Sequence, residues 1–253
     1  MKKTFIKTII SSVCVLTILS GNVVAKAEEV NSMNIKNSKE ITTPNISEPT
    51  EEEIAASEEK IKLAEEYENN KITPFGYGYL VTLPTTKYKT AVQQRWNWCG
   101  PAAAYNAMNG KRTQTQYSYD LVTGDNGTNF PGTWKYVLDT DRPGNNYTAT
   151  WGSGYSYSDW KAKLKNSIIY TIDRGYPVIA DTNITSNSST WLHPGYSYAT
   201  NTYHYVAVVG YDDQITVPEA LIVDSNTASS LPIKYWTTID KLASATKNLG
   251  IMW

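Results

Sequence analysis

The order of its periodic segments constrains this 253-residue chain more than any other feature of the sequence. Apolar residues recur at helical spacing from Cys99 to a stop signal at Asn109-Gly110, and again over residues 158–174 before Gly175. Short apolar runs rich in Val and Ile follow, and they predict strands over residues 177–181, 204–211 and 220–223. Helices followed by strands predict an α+β domain rather than an alternating α/β domain.

The remaining segments give weaker predictions. Residues 111–157 are rich in Gly, Thr, Asn and Tyr, which is typical of loops, with one short helix over residues 133–138. The other predicted elements are a strand over residues 78–83, a helix over residues 236–245 and a final strand over residues 249–253.

Residues 1–27 have the pattern of a bacterial signal peptide. Three early lysines precede a short apolar stretch over residues 9–19, and Ala25-Lys26-Ala27 fits the small-x-small cleavage rule. We therefore expect cleavage before Glu28 and a secreted protein, either extracellular or associated with the cell wall. No second long apolar run follows, so the sequence predicts no stable membrane anchor.

Residues 28–73 are acidic and differ from the domain predicted for residues 74–253. The first region has 12 acidic residues against 5 lysines, a net charge of −7, whereas the second has 12 against 14 basic residues, a net charge of +2. No basic patch indicates a nucleic-acid partner. Residues 28–49 resemble a linker, and residues 51–69 have helical spacing with interspersed charges. This helix is either a solvated lead-in or a pro-segment that covers a cleft, as an intramolecular inhibitor does in a zymogen.

The cysteine count excludes an internal disulfide in the mature protein. Of the two cysteines, Cys14 lies in the signal peptide, which leaves Cys99 alone. A lone thiol in an exported protein is exposed to oxidation, so it indicates a catalytic role, a buried structural role or an intermolecular bridge. One cysteine and two distant histidines do not form a zinc pattern, and the sequence predicts no cofactor.

The residues around Cys99 favour the catalytic interpretation. Cys99 lies at the start of a predicted helix, where free N–H groups and the helix dipole stabilise a thiolate. Pro101 suits a first helical turn. Gln93, six residues upstream, can hold an oxyanion together with the Cys99 N–H, although the adjacent Gln94 is an alternative donor.

A nucleophilic thiolate needs a proton shuttle, and the chain has only two histidines. His204 begins a Val-rich strand, whereas His193 lies in a loop and is expected at the surface. Asp224 ends the next strand, so adjacent strand ends can bring it to His204 and fix its tautomer. Asn226 is the alternative orienting residue.

These motifs occur in a fixed order along the chain: Gln93-x5-Cys99-Gly100-Pro101-Ala102-Ala103, His204-Tyr205-Val206-Ala207-Val208-Val209-Gly210-Tyr211 and Val223-Asp224-Ser225. In this order they resemble the bacteriocin-processing-peptidase-like families of papain-type cysteine peptidases, over about residues 76–253. The resemblance implies a papain-like fold, in which a helix carrying the cysteine packs on an antiparallel sheet carrying the histidine and the aspartate. It also implies Cys99 as nucleophile, His204 as base, Asp224 as orienting residue, Gln93 as oxyanion donor and a peptide or protein as substrate.

Three functions are consistent with these patterns. The first is a secreted cysteine peptidase that hydrolyses peptide or amide bonds through an acyl-enzyme. The second is an amidase for peptidoglycan stem peptides, which an exported domain rich in Tyr and Trp permits. The 19 Tyr and 8 Trp against 3 Phe suit either a solvent-exposed aromatic groove for a polymer or a Tyr-rich sheet. The third is an exported binding or toxin-like module without catalysis, which an intact triad disfavours.

Overall fold

A computed structural model describes residues 41–71, 78–228 and 230–253, and these residues belong to one compact unit. The predicted signal peptide and most of the predicted linker lie outside the described residues. Among the described helices, none is both long enough and apolar enough to cross a membrane.

The described helices are α1 (Glu51–Asn70), α2 (Cys99–Ala107), α3 (Gln114–Asp120), α4 (Trp134–Asp141), α5 (Tyr157–Asp173) and α6 (Ile239–Thr246). The strands are β1 (Leu80–Thr82), β2 (Ala149–Trp151), β3 (Val178–Thr185), β4 (Asn201–Asp212), β5 (Glu219–Asp224), β6 (Lys234–Thr238) and β7 (Gly250–Met252). Three 3₁₀ turns lie at Gly152–Gly154, Ser188–Thr190 and Pro194–Tyr196.

The strands form one antiparallel sheet in the order β2-β7-β3-β4-β5-β6. Strand β4 is the longest, and its far end also pairs with β1. Its middle is buried on both faces, which explains the continuous apolar run in the sequence. The predicted α+β class is confirmed.

Helix α2 packs against this sheet and brings its first residue to the ends of the central strands. Its buried alanines, Ala102 to Ala104 and Ala107, have small side chains that allow the helix to lie close to β4. The helix ends where Asn109 and Gly110 adopt positive φ angles of 57° and 68°, as the stop signal predicted. A helix carrying the cysteine therefore packs on an antiparallel sheet carrying the histidine and the aspartate, as expected for a papain-like fold.

Helix α1 confirms the helix predicted upstream of the domain. A capping box joins Thr50 and Glu53 at its start. The helix packs against α5 and β2, and four of its residues are buried: Ser57, Lys60, Ile61 and Ala64. It is therefore part of the folded core rather than a solvated lead-in.

Several element boundaries predicted from the sequence are wrong. Strand β4 begins at Asn201, so His204 is its fourth residue rather than its first, and β3 continues to Thr185. Helix α5 is capped by Ser156, whose side chain accepts from the Asp159 N–H, rather than by the predicted Ser158-Asp159 pair. The predicted helix over residues 236–245 starts too early, because Trp236 belongs to β6 and Thr238 caps α6. Helix α3 and strand β2 lie in the region predicted to be mainly loops.

Candidate active site

Cys99 is the first residue of α2 and is 2 % exposed. The N–H groups in the first turn of a helix have no partner within the helix, so they point toward the thiol and toward any group bound there. Gly100 lies against Thr128, and a β-carbon at residue 100 would overlap the Thr128 side chain. The glycine thus allows the loop that contains Thr128 to lie directly beside the nucleophile.

His204 lies on β4 and is 4 % exposed. Its Nε2 atom is 2.8 Å from Oδ1 of Asp224, and Cys99 is close enough to influence the pKa of the ring. Because Asp224 engages Nε2, Nδ1 is the ring nitrogen left for the sulfur. Burial by itself lowers the pKa of His204, but the charge and hydrogen bond of Asp224, together with Cys99, outweigh it and raise the pKa to about 10. The imidazole is therefore cationic at neutral pH.

Asp224 ends β5, and its two carboxylate oxygens accept four hydrogen bonds. Oδ1 accepts from His204 and from the backbone N–H of Asn226 at 2.9 Å. Oδ2 accepts from the hydroxyls of Tyr196 at 2.7 Å and Tyr235 at 2.6 Å. Burial raises the pKa of the Asp224 carboxyl, but His204 and these hydroxyls reverse the effect, and the net pKa is lowered. The carboxylate is held ionised and oriented toward His204.

The two tyrosines are the functional residues that the sequence analysis missed. Tyr196 follows a loop and Tyr235 lies on β6, and neither has a fixed spacing from Asp224 that a motif could show. His193, expected at the surface, is half-buried and packs on Tyr235 with ring centroids 5.0 Å apart. It is outside the triad but supports one of the residues that orient Asp224.

Gln93 lies beside the residue that follows Asp224, and its backbone N–H donates to Ser225 O at 2.9 Å. Its side-chain Nε2 donates to the carbonyls of Arg95 at 3.1 Å and Trp96 at 2.9 Å, in the loop that precedes the nucleophile. An oxyanion role requires this amide to turn from those carbonyls. The Gln94 side chain is exposed, and its backbone N–H donates to Gln114 Oε1 at 3.0 Å. Of the two glutamines, Gln93 is the one joined to the segment that follows Asp224.

Asn226, the alternative orienting residue, does not orient the imidazole with its side chain. Its Nδ2 donates to the hydroxyl of Tyr198 at 3.2 Å, and its Oδ1 accepts from the Ala228 N–H at 2.9 Å. Only its backbone reaches Asp224.

Residues 41–47, which we call the leader segment, lie in the cleft beside Cys99. On one wall, the Tyr203 N–H donates to Ile41 O at 2.9 Å, next to His204 on β4. On the other wall, the segment exchanges hydrogen bonds with Phe130, from Phe130 N–H to Asn45 O at 2.8 Å and from Ser47 N–H to Phe130 O at 2.7 Å. The segment therefore bridges the two walls by main-chain hydrogen bonds, as an added strand does.

A cavity beside Cys99 lies under the leader segment. It is lined by Ile41, Asn45, Cys99, Asn126, Thr128, Asp181, Tyr203 and Tyr205. None of these residues belongs to helix α1. Within the described residues, no group of three or more His, Cys, Asp or Glu side chains is placed to hold a metal ion.

Comparison with known proteins assigns the family. The model of the Peptidase_C39 like family matches residues 85–247, well over half of the chain. The chain belongs to this family. It is a cysteine peptidase of the papain type, and the Peptidase_C39 like match spans Cys99, His204 and Asp224.

Two other comparisons complete the findings. No curated protein matches the sequence significantly. Among solved structures, procathepsin L 3 of the Tenebrio molitor larval midgut is similar, with a TM-score of 0.45 and 10% identity over 78% of each chain.

Proposed function

We propose that this Peptidase_C39 like protein is a secreted bacterial peptidase that uses Cys99, His204 and Asp224 as its catalytic triad. The observation that carries the proposal is the buried His204–Asp224 hydrogen bond beside the sulfur at the start of α2. The sequence of residues 1–27 supports export. The complete triad disfavours a non-catalytic binding module.

In the acylation step, the Cys99 sulfur attacks the carbonyl carbon of a peptide or amide bond and forms a tetrahedral oxyanion. The Cys99 backbone N–H and the Gln93 side-chain amide, once turned from its loop carbonyls, stabilise that negative charge. The His204 imidazolium then gives its proton to the leaving nitrogen, and the C–N bond breaks. The products are a free amine and a thioester on Cys99.

In the deacylation step, neutral His204 takes a proton from water, and the hydroxide attacks the thioester carbonyl. The C–S bond breaks, the acid product leaves, and the thiolate–imidazolium pair forms again. Asp224 keeps the ring in the same orientation through both steps, because the hydroxyls of Tyr196 and Tyr235 fix its carboxylate.

We also propose that the protein is a zymogen in which the leader segment is the inhibitor. Its backbone uses hydrogen-bonding groups on both cleft walls, at Tyr203 and Phe130, which an extended substrate would need. Ile41 is 8 % exposed and lines the cavity beside Cys99. The helix considered from the sequence as a cover for the cleft is α1, which packs instead against α5 and β2.

The test compares two full-length variants in a peptide-hydrolysis assay. Ile41→Glu places a carboxylate in a buried position and should loosen the leader segment. We expect this chain to cleave peptides, and the double variant Ile41→Glu/Cys99→Ala to be inactive with an unchanged melting temperature. Equal hydrolysis by the two variants would overturn the triad.

The same variants separate the substrate classes. Zymography on cell walls and on casein distinguishes a stem-peptide amidase from a general peptidase. Iodoacetamide labelling of Cys99 at acidic pH tests the thiolate independently of any substrate, because only an activated thiol reacts there. Absence of both labelling and hydrolysis would favour a binding module.

A further inference from the structure

Asp181 is a buried carboxyl beside the nucleophile that the proposed mechanism does not use. It lies on β3 opposite Tyr205 on β4, one residue from the Thr182–His204 pair. It is 5 % exposed and lines the cavity that also contains Cys99. Among the described residues, no salt bridge involves it.

Burial makes the charged form of Asp181 unfavourable in this closed form. It raises the pKa of the carboxyl well above its usual range, and it outweighs the Tyr205 hydroxyl and the charge of His204, which both lower that pKa. The Tyr205 hydroxyl donates to Thr128 O at 3.1 Å, and both residues line the same cavity.

The cavity walls suit a cation. The aromatic side chains of Tyr203 and Tyr205 line the cavity together with Asp181, and Tyr faces attract ammonium and guanidinium groups. The charge of His204 offsets only part of the cost of burying Asp181, whereas an entering cation forms a direct, desolvated ion pair with it. An apolar subsite of the same shape would need no carboxyl.

We propose that Asp181 is the specificity-determining residue of a subsite for a basic side chain of the peptide substrate. The proposal rests on the proposed peptidase function. The subsite takes a Lys or Arg at one of the two positions before the cleaved bond, because the cavity adjoins the Cys99 sulfur. In the complex, Asp181 pairs as a carboxylate with the cation. In the full-length protein, Ile41 and Asn45 of the leader segment cover the subsite.

The experiment uses the full-length Ile41→Glu chain and pairs of peptides that differ only by Lys or norleucine at each of the two positions. At one position, we expect kcat/KM to favour Lys by at least about tenfold, since a buried ion pair discriminates strongly against an uncharged isostere. Adding Asp181→Asn should remove this preference, mainly through a higher KM for the Lys peptide, and change norleucine cleavage by less than about threefold.

Two further variants separate recognition from a merely structural role. Asp181→Glu keeps the charge and should retain part of the Lys preference. Tyr205→Phe breaks the hydrogen bond to Thr128 but keeps the carboxyl, so it should retain the preference even if stability falls.

The outcomes are distinct. Cleavage by the Ile41→Glu chain without any Lys preference overturns the subsite and leaves the peptidase function intact, and this result needs no Asp181 variant to fold. An equal loss on both peptides in Asp181→Asn also overturns the subsite, because it shows that the carboxyl only supports Tyr205. Absence of cleavage of every peptide overturns the proposed function, and the subsite with it.

Discussion

Helix α1 and the leader segment are consecutive in the chain, but the domain holds them in different ways. Helix α1 contributes buried side chains, including Ile61 and Ala64, which are 4 % and 1 % exposed. The leader segment is held mainly by backbone hydrogen bonds, and most of its side chains are exposed, with Ile41 as the main exception. Burial of several side chains makes α1 part of the core, whereas the leader segment places only Ile41 fully in it, with Ile46 packed against it.

Lys60 shows how firmly α1 is attached. Its Nζ donates to the backbone carbonyls of Asn145, Asn146 and Trp253, and it lies over the Trp253 ring at 4.9 Å. Burial, reinforced by the charge of Arg174, lowers the pKa of Lys60 to about 7. These bonds join the helix to the last residue after β7.

The largest expected effect comes from removing each region in turn. A chain that starts at Pro74 lacks α1, so it exposes the surface covered by Ile61 and loses the hydrogen bonds of Lys60. Together these should lower the free energy of unfolding by about 3–6 kcal/mol. A chain that starts at Glu48 keeps α1 but lacks the leader segment, and it should lose less, about 2 kcal/mol, for the burial of Ile41. Urea unfolding of both chains checks this, and equal free energies would contradict the distinction.

The second effect concerns activity rather than stability. Ile41→Glu in the full-length chain should raise kcat/KM by at least about tenfold, because burying a carboxylate near Asp181 disfavours the covered state. Thr43→Glu makes the same charge change at an exposed residue of the segment and is the matched control. Peptide hydrolysis measures both, and equal rates for the two variants would show that the segment does not inhibit.

The contrast between these regions also explains what the sequence could predict. Helix α1 was predictable because Ile54, Ile61 and Leu63-Ala64 recur at roughly helical spacing with charges between them, although Ile54 and Leu63 are exposed in the folded chain. The position of the leader segment was not, since the backbone groups that hold it are the same in every residue. Its docking depends on where β4 and Phe130 lie in the folded chain.

The same reasoning applies to the site. Cys99, His204 and Asp224 were predicted because a helix start and two strand ends mark them in the sequence. The hydroxyls on Asp224 come from two of 19 tyrosines, and only the folded structure distinguishes Tyr196 and Tyr235 from the others. Strand β2 has only three residues, too few to show a periodicity.

The third prediction concerns the upper pH limit of activity. Loosening the leader segment should not change this limit. The hydrogen bonds of the segment described above go to cleft-wall residues and not to the triad. In the proposed mechanism, activity requires the His204 imidazolium, which is lost as pH rises through its pKa of about 10. We expect kcat/KM to fall with an apparent pKa near 10 in both the full-length and Ile41→Glu chains. A shift of this limit in the variant would show that the segment also perturbs His204.

The smallest effect tests the attachment of α1 through the pH dependence of stability. Lys60 has a pKa of about 7 in the folded protein, against an ordinary value of 10.5. Between these values the unfolded chain binds more protons at this residue, so its contribution to stability rises with pH from about 7 to 10.5. His204 contributes in the opposite direction as pH rises from 6.5 to about 10, because its folded pKa is raised.

The variant Lys60→Met removes the contribution of Lys60 to the pH dependence of stability and keeps that of His204. The free energy of unfolding of the wild type minus that of Lys60→Met should therefore increase between pH 7 and 10.5, as measured by urea unfolding at several pH values. Lys62→Met changes an exposed lysine of the same helix, and the corresponding difference should stay flat. A flat difference for Lys60→Met as well would mean that Lys60 is solvated, and α1 would then be held without a buried lysine.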